Sequence, residues 1–216
     1  MGTVAAIVLL LLALIVLLAL PYVVVLRRRF FAERAAQAAS LGWQQAPPNP
    51  FLAGVARRIY GSRGRADRMV TGQFRGHVMC ALDFSYTTVA GRSIRHHKCH
   101  LVSVTLPVPL PGLVLVQDNP IARAFGVPDL ELESGAFNDL FWVDCADGRY
   151  ASAVLNPQLM EWMLAHPTLE WRIDGDALVA WGPGYYSIPQ VTTKLEGLVG
   201  VVERLAPFVL ADYRLR

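Results

Sequence analysis

The chain has 216 residues, 54% of them hydrophobic and 17% charged, with a formal net charge of +3 and three cysteines. Cys80, Cys99 and Cys145 are odd in number and unremarkable in spacing, which suits a reducing compartment better than a disulfide framework. Setting aside an apolar N-terminus, enough chain remains for one domain with a real core.

From Val4 to Leu26 the chain runs 23 residues without a charge and then meets Arg27, Arg28 and Arg29. As a helix this run is about 34 Å long, against a hydrocarbon core of about 30 Å, so residues 1–26 are expected to form a transmembrane anchor. Pro21 is tolerated in such a span because the freed carbonyl finds other donors. A cleaved signal is disfavoured: no basic residue precedes the run, the run is too long, and it ends in Tyr22 and Val23 to Leu26 rather than in small residues. The basic cluster on the C-terminal side places residues 27–216 in the cytoplasm and the N-terminus outside, as a single-pass protein of the inner cell membrane. Arg27, Arg28 and Arg29 then become membrane-interface residues facing anionic lipid headgroups.

Phe30 to Leu41 keeps helical composition with Gly42 at a C′ position, and Ala46-Pro-Pro-Asn-Pro50 breaks any helix. Residues 27–50 therefore read as a juxtamembrane helix and Pro-rich linker, and residues 51–216 as a cytoplasmic α+β domain. Gly54 to Asp67 is expected as an exposed loop. At Met69 the apolar period changes to two: Val70 to Phe74 and Val78 to Thr88 form a hairpin around Arg75-Gly-His77. Cys99 to Leu106 is a third strand, which Pro107-Val-Pro-Leu-Pro111 is expected to end. Leu113 to Val116, Asp129 to Glu133 and Phe141 to Cys145 are short strand candidates.

Arg149 to Leu155 reads as a short helix. Asn156-Pro157 supplies an N-cap and a proline at N1 for a second, reaching toward His166. Asp174-Gly175-Asp176, between Trp171 to Ile173 and Ala177 to Trp181, is the strongest hairpin signal. Val191, Leu195, Leu198, Val202 and Leu205 make Gln190 to Leu210 an amphipathic closing helix. The fold class expected is α+β: an N-terminal transmembrane helix and stalk, then a mainly antiparallel sheet with two or three packing helices.

Glu131-Leu-Glu-Ser134, Phe137-Asn138, Phe141-Trp-Val143, Asp147, Ala151, Ala153, Leu155, Pro157 and Met160-Glu161, with Gly72-Gln-Phe-Arg-Gly76 and Asp83-Phe-Ser-Tyr86 upstream, resemble a family of uncharacterised bacterial single-pass membrane proteins, a domain of unknown function, in its actinobacterial form. The resemblance covers roughly residues 70–210. It implies fold and topology; the family has no established catalytic residues to carry over.

No catalytic or cofactor signature stands out, and no cofactor is expected. His96, His97, Cys99 and His100 are the one cluster of metal-ligand types, but strand alternation puts His97 and Cys99 on one face and His96 and His100 on the other, short of a site. Glu131, Glu133, Asp139, Asp144 and Asp147 could supply an acid and base pair, although a solvated face is the simpler use. Trp142, Trp162, Trp171 and Trp181 could line a groove or fill a core.

Residues 27–100 carry 13 basic and 3 acidic side chains, and residues 101–190 carry 3 basic and 11 acidic. The basic stretch suits a lipid surface. Within it Arg57, Arg58, Arg63, Arg65 and Arg68 carry no nucleic-acid module and only Tyr60 among them as a stacking aromatic, so nucleic acid is not an expected partner. The function expected is a membrane-anchored binding or interaction module, without catalytic activity, that holds a partner protein or ligand at the inner leaflet. An enzyme working through the acidic strands Glu131 to Asp147 and a metal-dependent regulator using His97 and Cys99 are the alternatives.

Overall fold

The computed structural model describes residues 2–60, 64–91, 93–118 and 132–215, with the backbone alone at 2–9, 11–16, 18 and 90. It divides into two compact units, Met1–Leu41 and Gly42–Arg216.

The first unit is one helix, α1 (Gly2–Ser40), 39 residues long with Pro21 inside it. Among the described residues no helix is long and apolar enough to cross a membrane; the expected span falls largely on side chains outside the described residues. Beyond it, the Arg27 guanidinium lies 5.7 Å from the Phe31 ring centroid and that of Arg34 5.0 Å from the same ring. Gly42, at φ +76°, adopts the left-handed conformation that suits a residue just past a helix end.

The second unit has the mixed α+β architecture expected, with a mainly antiparallel sheet and several helices. Its strands are β1 (Gln44–Ala46), β2 (Gly64–Phe74), β3 (His77–Ala90), β4 (Ser93–Gln117), β5 (Phe141–Cys145) and β6 (Trp171–Pro183). Strand β4 is the spine. β3 pairs with its first half, from Ser93 to Val104; β5 pairs with its end, from Leu113 to Gln117; β6 runs along the other edge from Cys99 to Leu115. The expected hairpin is present, with Arg75 and Gly76 both at positive φ in the two-residue turn between β2 and β3.

Three local expectations are corrected. Pro107, Pro109 and Pro111 do not end β4, because they lie where one of its edges has no strand partner: β3 has left at Val104 and β5 joins only at Leu113. On that edge the Pro109 carbonyl accepts from Leu215 N–H at 2.8 Å, and the Pro111 carbonyl from the Tyr150 hydroxyl at 3.0 Å. Residues two apart in a strand present their backbone groups to the same edge, so all three missing donors fall where no ladder needs them. Asp174-Gly175-Asp176 is likewise no hairpin. Gly175, at φ +61°, is an irregularity within a continuous β6, opposite Leu110 where the β4 register shifts. Nor is Gly54 to Asp67 a loop throughout: α2 (Pro50–Tyr60) takes in residues 54–60 and β2 begins at Gly64, while residues 61–63 lie outside the described residues. Pro50 takes the helix start, while Asn49 Oδ1 accepts from Phe51 N–H.

The remaining helices are α3 (Gly135–Asn138), α4 (Gly148–Val154), α5 (Pro157–Leu164), α6 (Ile188–Val202) and α7 (Pro207–Asp212). Asn156 caps α5 as expected, its Oδ1 accepting from Leu159 N–H and its Nδ2 donating to the Arg204 carbonyl. The closing helix is two helices, α6 and α7, and α6 opens with a capping box from Ser187 and Gln190. Of the expected strand Asp129 to Glu133, residues 129–131 lie outside the described residues.

Leu52, Val55 and Ala56 of α2 pack on Leu82, Phe84, Cys99, Leu101 and Val179, on one face of the sheet. Side chains alternate along a strand, so Ala81, Asp83, His100 and Val102 face the other way, toward α6. The opposite sequence charges meet in space: Arg58 of α2 pairs with Asp174 of β6, which also holds Arg172 at 3.1 Å.

Candidate functional site

One cavity of about 440 Å³ is lined both by Cys99, Trp181 and Gly182 and by Gln117 and Glu170. Those residues come from opposite ends of β4 and β6, so the two long strands bend near Leu110 and Gly175 and bring their ends back to one place. Lys194 of α6 lines the same cavity. Adjoining it through Gly182, Pro183 and Lys194 is a second cavity of about 360 Å³. A third, of about 640 Å³, shares Thr168 and Lys194 and continues along α6 past Trp162.

One wall is aromatic. Tyr60, at the end of α2, stacks on Tyr86 of β3 at 5.2 Å, and Tyr86 stacks on His97 of β4 at 4.7 Å. Tyr86 and His97 are cross-strand partners, a pairing the hairpin register fixes. Burial first, then the neighbouring Cys99, pushes the Tyr60 phenol up, so it is neutral and able to donate. Burial likewise pushes the Cys99 thiol up to about 12, against the lowering effect of its hydrogen bond with Tyr60. Its Sγ donates to the Phe84 carbonyl at 3.4 Å. A thiol held up in this way stays protonated at neutral pH, which disfavours nucleophilic attack.

On the opposite face of the sheet lies a buried polar pair. Asp83 and His100 are cross-strand partners on the α6 face, 0% and 1% exposed. Asp83 Oδ1 accepts from Tyr186 N–H at 3.0 Å, and His100 Nδ1 bonds the Gly184 carbonyl at 3.0 Å. Together they tie the chain entering α6 to the middle of the sheet. Burial holds the His100 imidazole below its ordinary pKa, assisted by the Lys194 cation and opposed by the Gly184 and Pro183 carbonyls. Burial also lowers Lys194, with Glu170 pulling the other way. Gly182 is where the backbone needs a glycine: a Cβ there would come within 2.9 Å of His100 Nε2 and 3.2 Å of Lys194 Cε.

The residues singled out in the sequence take varied places. Arg27, Arg28 and Arg29 are exposed on α1. His97 belongs to the aromatic wall, with its Nε2 2.8 Å from Thr88 Oγ1, while exposed His96 lies 3.1 Å from Thr87 Oγ1. Cys99 is in the core, and His100 is on the opposite face. No group of three or more metal-ligand side chains is gathered among the described residues. Asp147 caps α4, accepting from Arg149 and Tyr150 N–H; Glu133, Asp139 and Asp144 are exposed, and Glu131 lies outside the described residues. Trp142 and Trp171 are buried in the core, whereas Trp162 and Trp181 line cavities. Tyr60, Tyr86, Glu170 and Lys194 were not singled out as a site. Their approach depends on strand register and on the bend, which no local pattern encodes.

No protein-family model matches the chain, and no curated protein matches it. A solved structure that shares its fold is the crystal structure of the mycobacterial trehalose monomycolate transport factor A, TtfA, with a TM-score of 0.51 and 13% sequence identity over 81% of this chain and 94% of that one. At that identity the likeness concerns the fold alone.

Proposed function

We propose that the chain is a membrane-anchored, non-catalytic interaction module: α1 spans the inner membrane once, and residues 42–216 work in the cytoplasm as an accessory to a membrane transport system. The observation that carries the reading is the uncharged run from Val4 to Leu26 inside a single 39-residue helix that meets Arg27, Arg28 and Arg29. Leu10, Leu17, Leu20 and Tyr22 are each at least 60% exposed, an arrangement that water disfavours and lipid does not. The arginines then sit among anionic headgroups. A transport role is supported by the fold shared with a protein named as a transport factor. A non-catalytic role is supported by the uses already given to Cys99 and Asp147. Membership in the bacterial single-pass family that the sequence resembles belongs to the same proposal.

The test is extraction and topology. The full chain expressed in bacteria is expected to stay with membranes through carbonate washing, and a reporter fused after Arg216 is expected to be active only in the cytoplasm. Replacing Arg27, Arg28 and Arg29 together with glutamate removes the positive-inside signal and is expected to mix or invert the topology. Release by carbonate, or a reporter active only outside the cytoplasm, overturns the proposal.

A further inference from the structure

We propose that the cavity between the end of β6 and the first turns of α6 binds a neutral hydroxyl-rich group, the glycosyl ring of a sugar or of a glycolipid, through His100 and Lys194. The proposal rests on the reading of the chain as a non-catalytic binding module and adds the class of ligand. His100 is 1% exposed. Its Nδ1 faces the Gly184 carbonyl, with the Pro183 carbonyl also against the ring; both can only accept, so in the neutral ring Nδ1 carries the proton and Nε2 is an acceptor. That Nε2 has no hydrogen-bond partner among the described residues, yet His100 lines the cavity of about 360 Å³ beside Gln190, Thr193 and Lys194. A buried acceptor without a donor is costly, and the ligand that relieves it must donate.

Lys194 decides which donor. Its stem passes over Gly182 next to the imidazole, and both side chains line that cavity. A cationic ligand is repelled by the ammonium. A fully ionised anion satisfies the ammonium and leaves Nε2 unpaired. A hydroxyl does both, donating to Nε2 and accepting from Nζ. Thr193 and Gln190 add neutral polar groups at the rim, which suits several adjacent hydroxyls. Through Gly182 and Pro183 the opening joins the larger cavity, where Tyr60, Tyr86 and Trp181 line the wall with Glu170 as an acceptor. Aromatic surface for the C–H side of a ring, with carboxylate and imidazole acceptors for its hydroxyls, is the pattern of a small polar ligand site.

The experiment uses the full chain in lipid nanodiscs with ¹⁵N-labelled histidine. Three probes are titrated: maltose, dodecyl maltoside, and inorganic phosphate. Maltose or dodecyl maltoside is expected to move the His100 Nε2 resonance toward the hydrogen-bonded position and to change tryptophan fluorescence. Response to both marks the sugar ring itself as sufficient; response to dodecyl maltoside alone marks a glycolipid headgroup, and both outcomes support the proposal. Lys194→Met is expected to weaken the response about tenfold or more, since a hydrogen bond to a charged group is lost. Gly182→Ala fills the slot and is expected to abolish it. A His100 shift with phosphate and not with either glycoside, or no shift with any probe, overturns the proposal. The anchoring reading is read separately by carbonate extraction and fails or stands independently.

Discussion

Gly200→Ala tests the packing of α6 against α5. Position 200 is buried in the interior of α6, where alanine ordinarily adds roughly 0.5–1 kcal/mol by reducing backbone freedom in the unfolded chain. Here the added Cβ would lie 2.5 Å from Trp162 Cζ2 and 3.0 Å from Cη2. Trp162 borders the cavity of about 640 Å³, but retreat into it would break its stack with His166 at 4.0 Å and its contact with the Arg204 guanidinium, 4.9 Å from its centroid. Overpacking of this kind costs roughly 1–3 kcal/mol and outweighs the helix term over nearly all of that range, leaving a net loss of up to about 2.5 kcal/mol, centred near 1. With a urea slope of about 2 kcal/mol/M, the unfolding midpoint of the full chain in mild detergent is expected to fall by roughly 0.3–1 M. In a Trp162→Leu background the clash is gone, and the same change is expected to raise the midpoint. Stabilisation by Gly200→Ala with Trp162 intact would refute the reasoning.

Two further outcomes are expected. Asn156→Ala removes the cap on Leu159 N–H and the donor to the Arg204 carbonyl, for a loss of about 1.5–3 kcal/mol in urea denaturation, while Asn156→Asp keeps the cap and loses less. If the two variants are equally unstable, the cap contributes nothing. The pH dependence follows from His100, whose folded pKa lies below its ordinary 6.5 because burial and Lys194 oppose a second positive charge. Its contribution to stability is complete above the unfolded value and is lost as pH falls through the folded one, where the native state must also take up the proton. The urea midpoint is expected to drop as pH falls below about 6.5, with the His100 ring titrating by NMR below that ordinary value; an imidazole that titrates at or above its ordinary value contradicts this.

The elements legible in the sequence are those set by neighbours along the chain. Asn156-Pro157 starts α5, Arg75-Gly76 turns β2 into β3 and Gly42 follows the end of α1, because caps and tight turns are closed by groups two to four residues apart. The uncharged run and its three arginines belong to the same local category, since an apolar segment and the basic residues beside it are contiguous.

The misread segments share a different cause. A proline subtracts a donor from one edge of a strand, and whether that edge has a partner at Pro107 to Pro111 depends on where β3 and β5 stop, which are distant facts. A glycine at positive φ serves a hairpin or a bulge equally well, and at Gly175 a long β4 alongside makes it a bulge. The candidate site is likewise tertiary in origin. The sequence alone determined the apolar helix, its basic flank and the caps; only the bend of β4 and β6, which returns strand ends more than ten residues apart to one cavity, placed Tyr60, Tyr86, Glu170 and Lys194 together and set the opening above His100 beside Gly182. Contacts between residues far apart in the chain are fixed by register and closure of the sheet, and neither is written in any one segment.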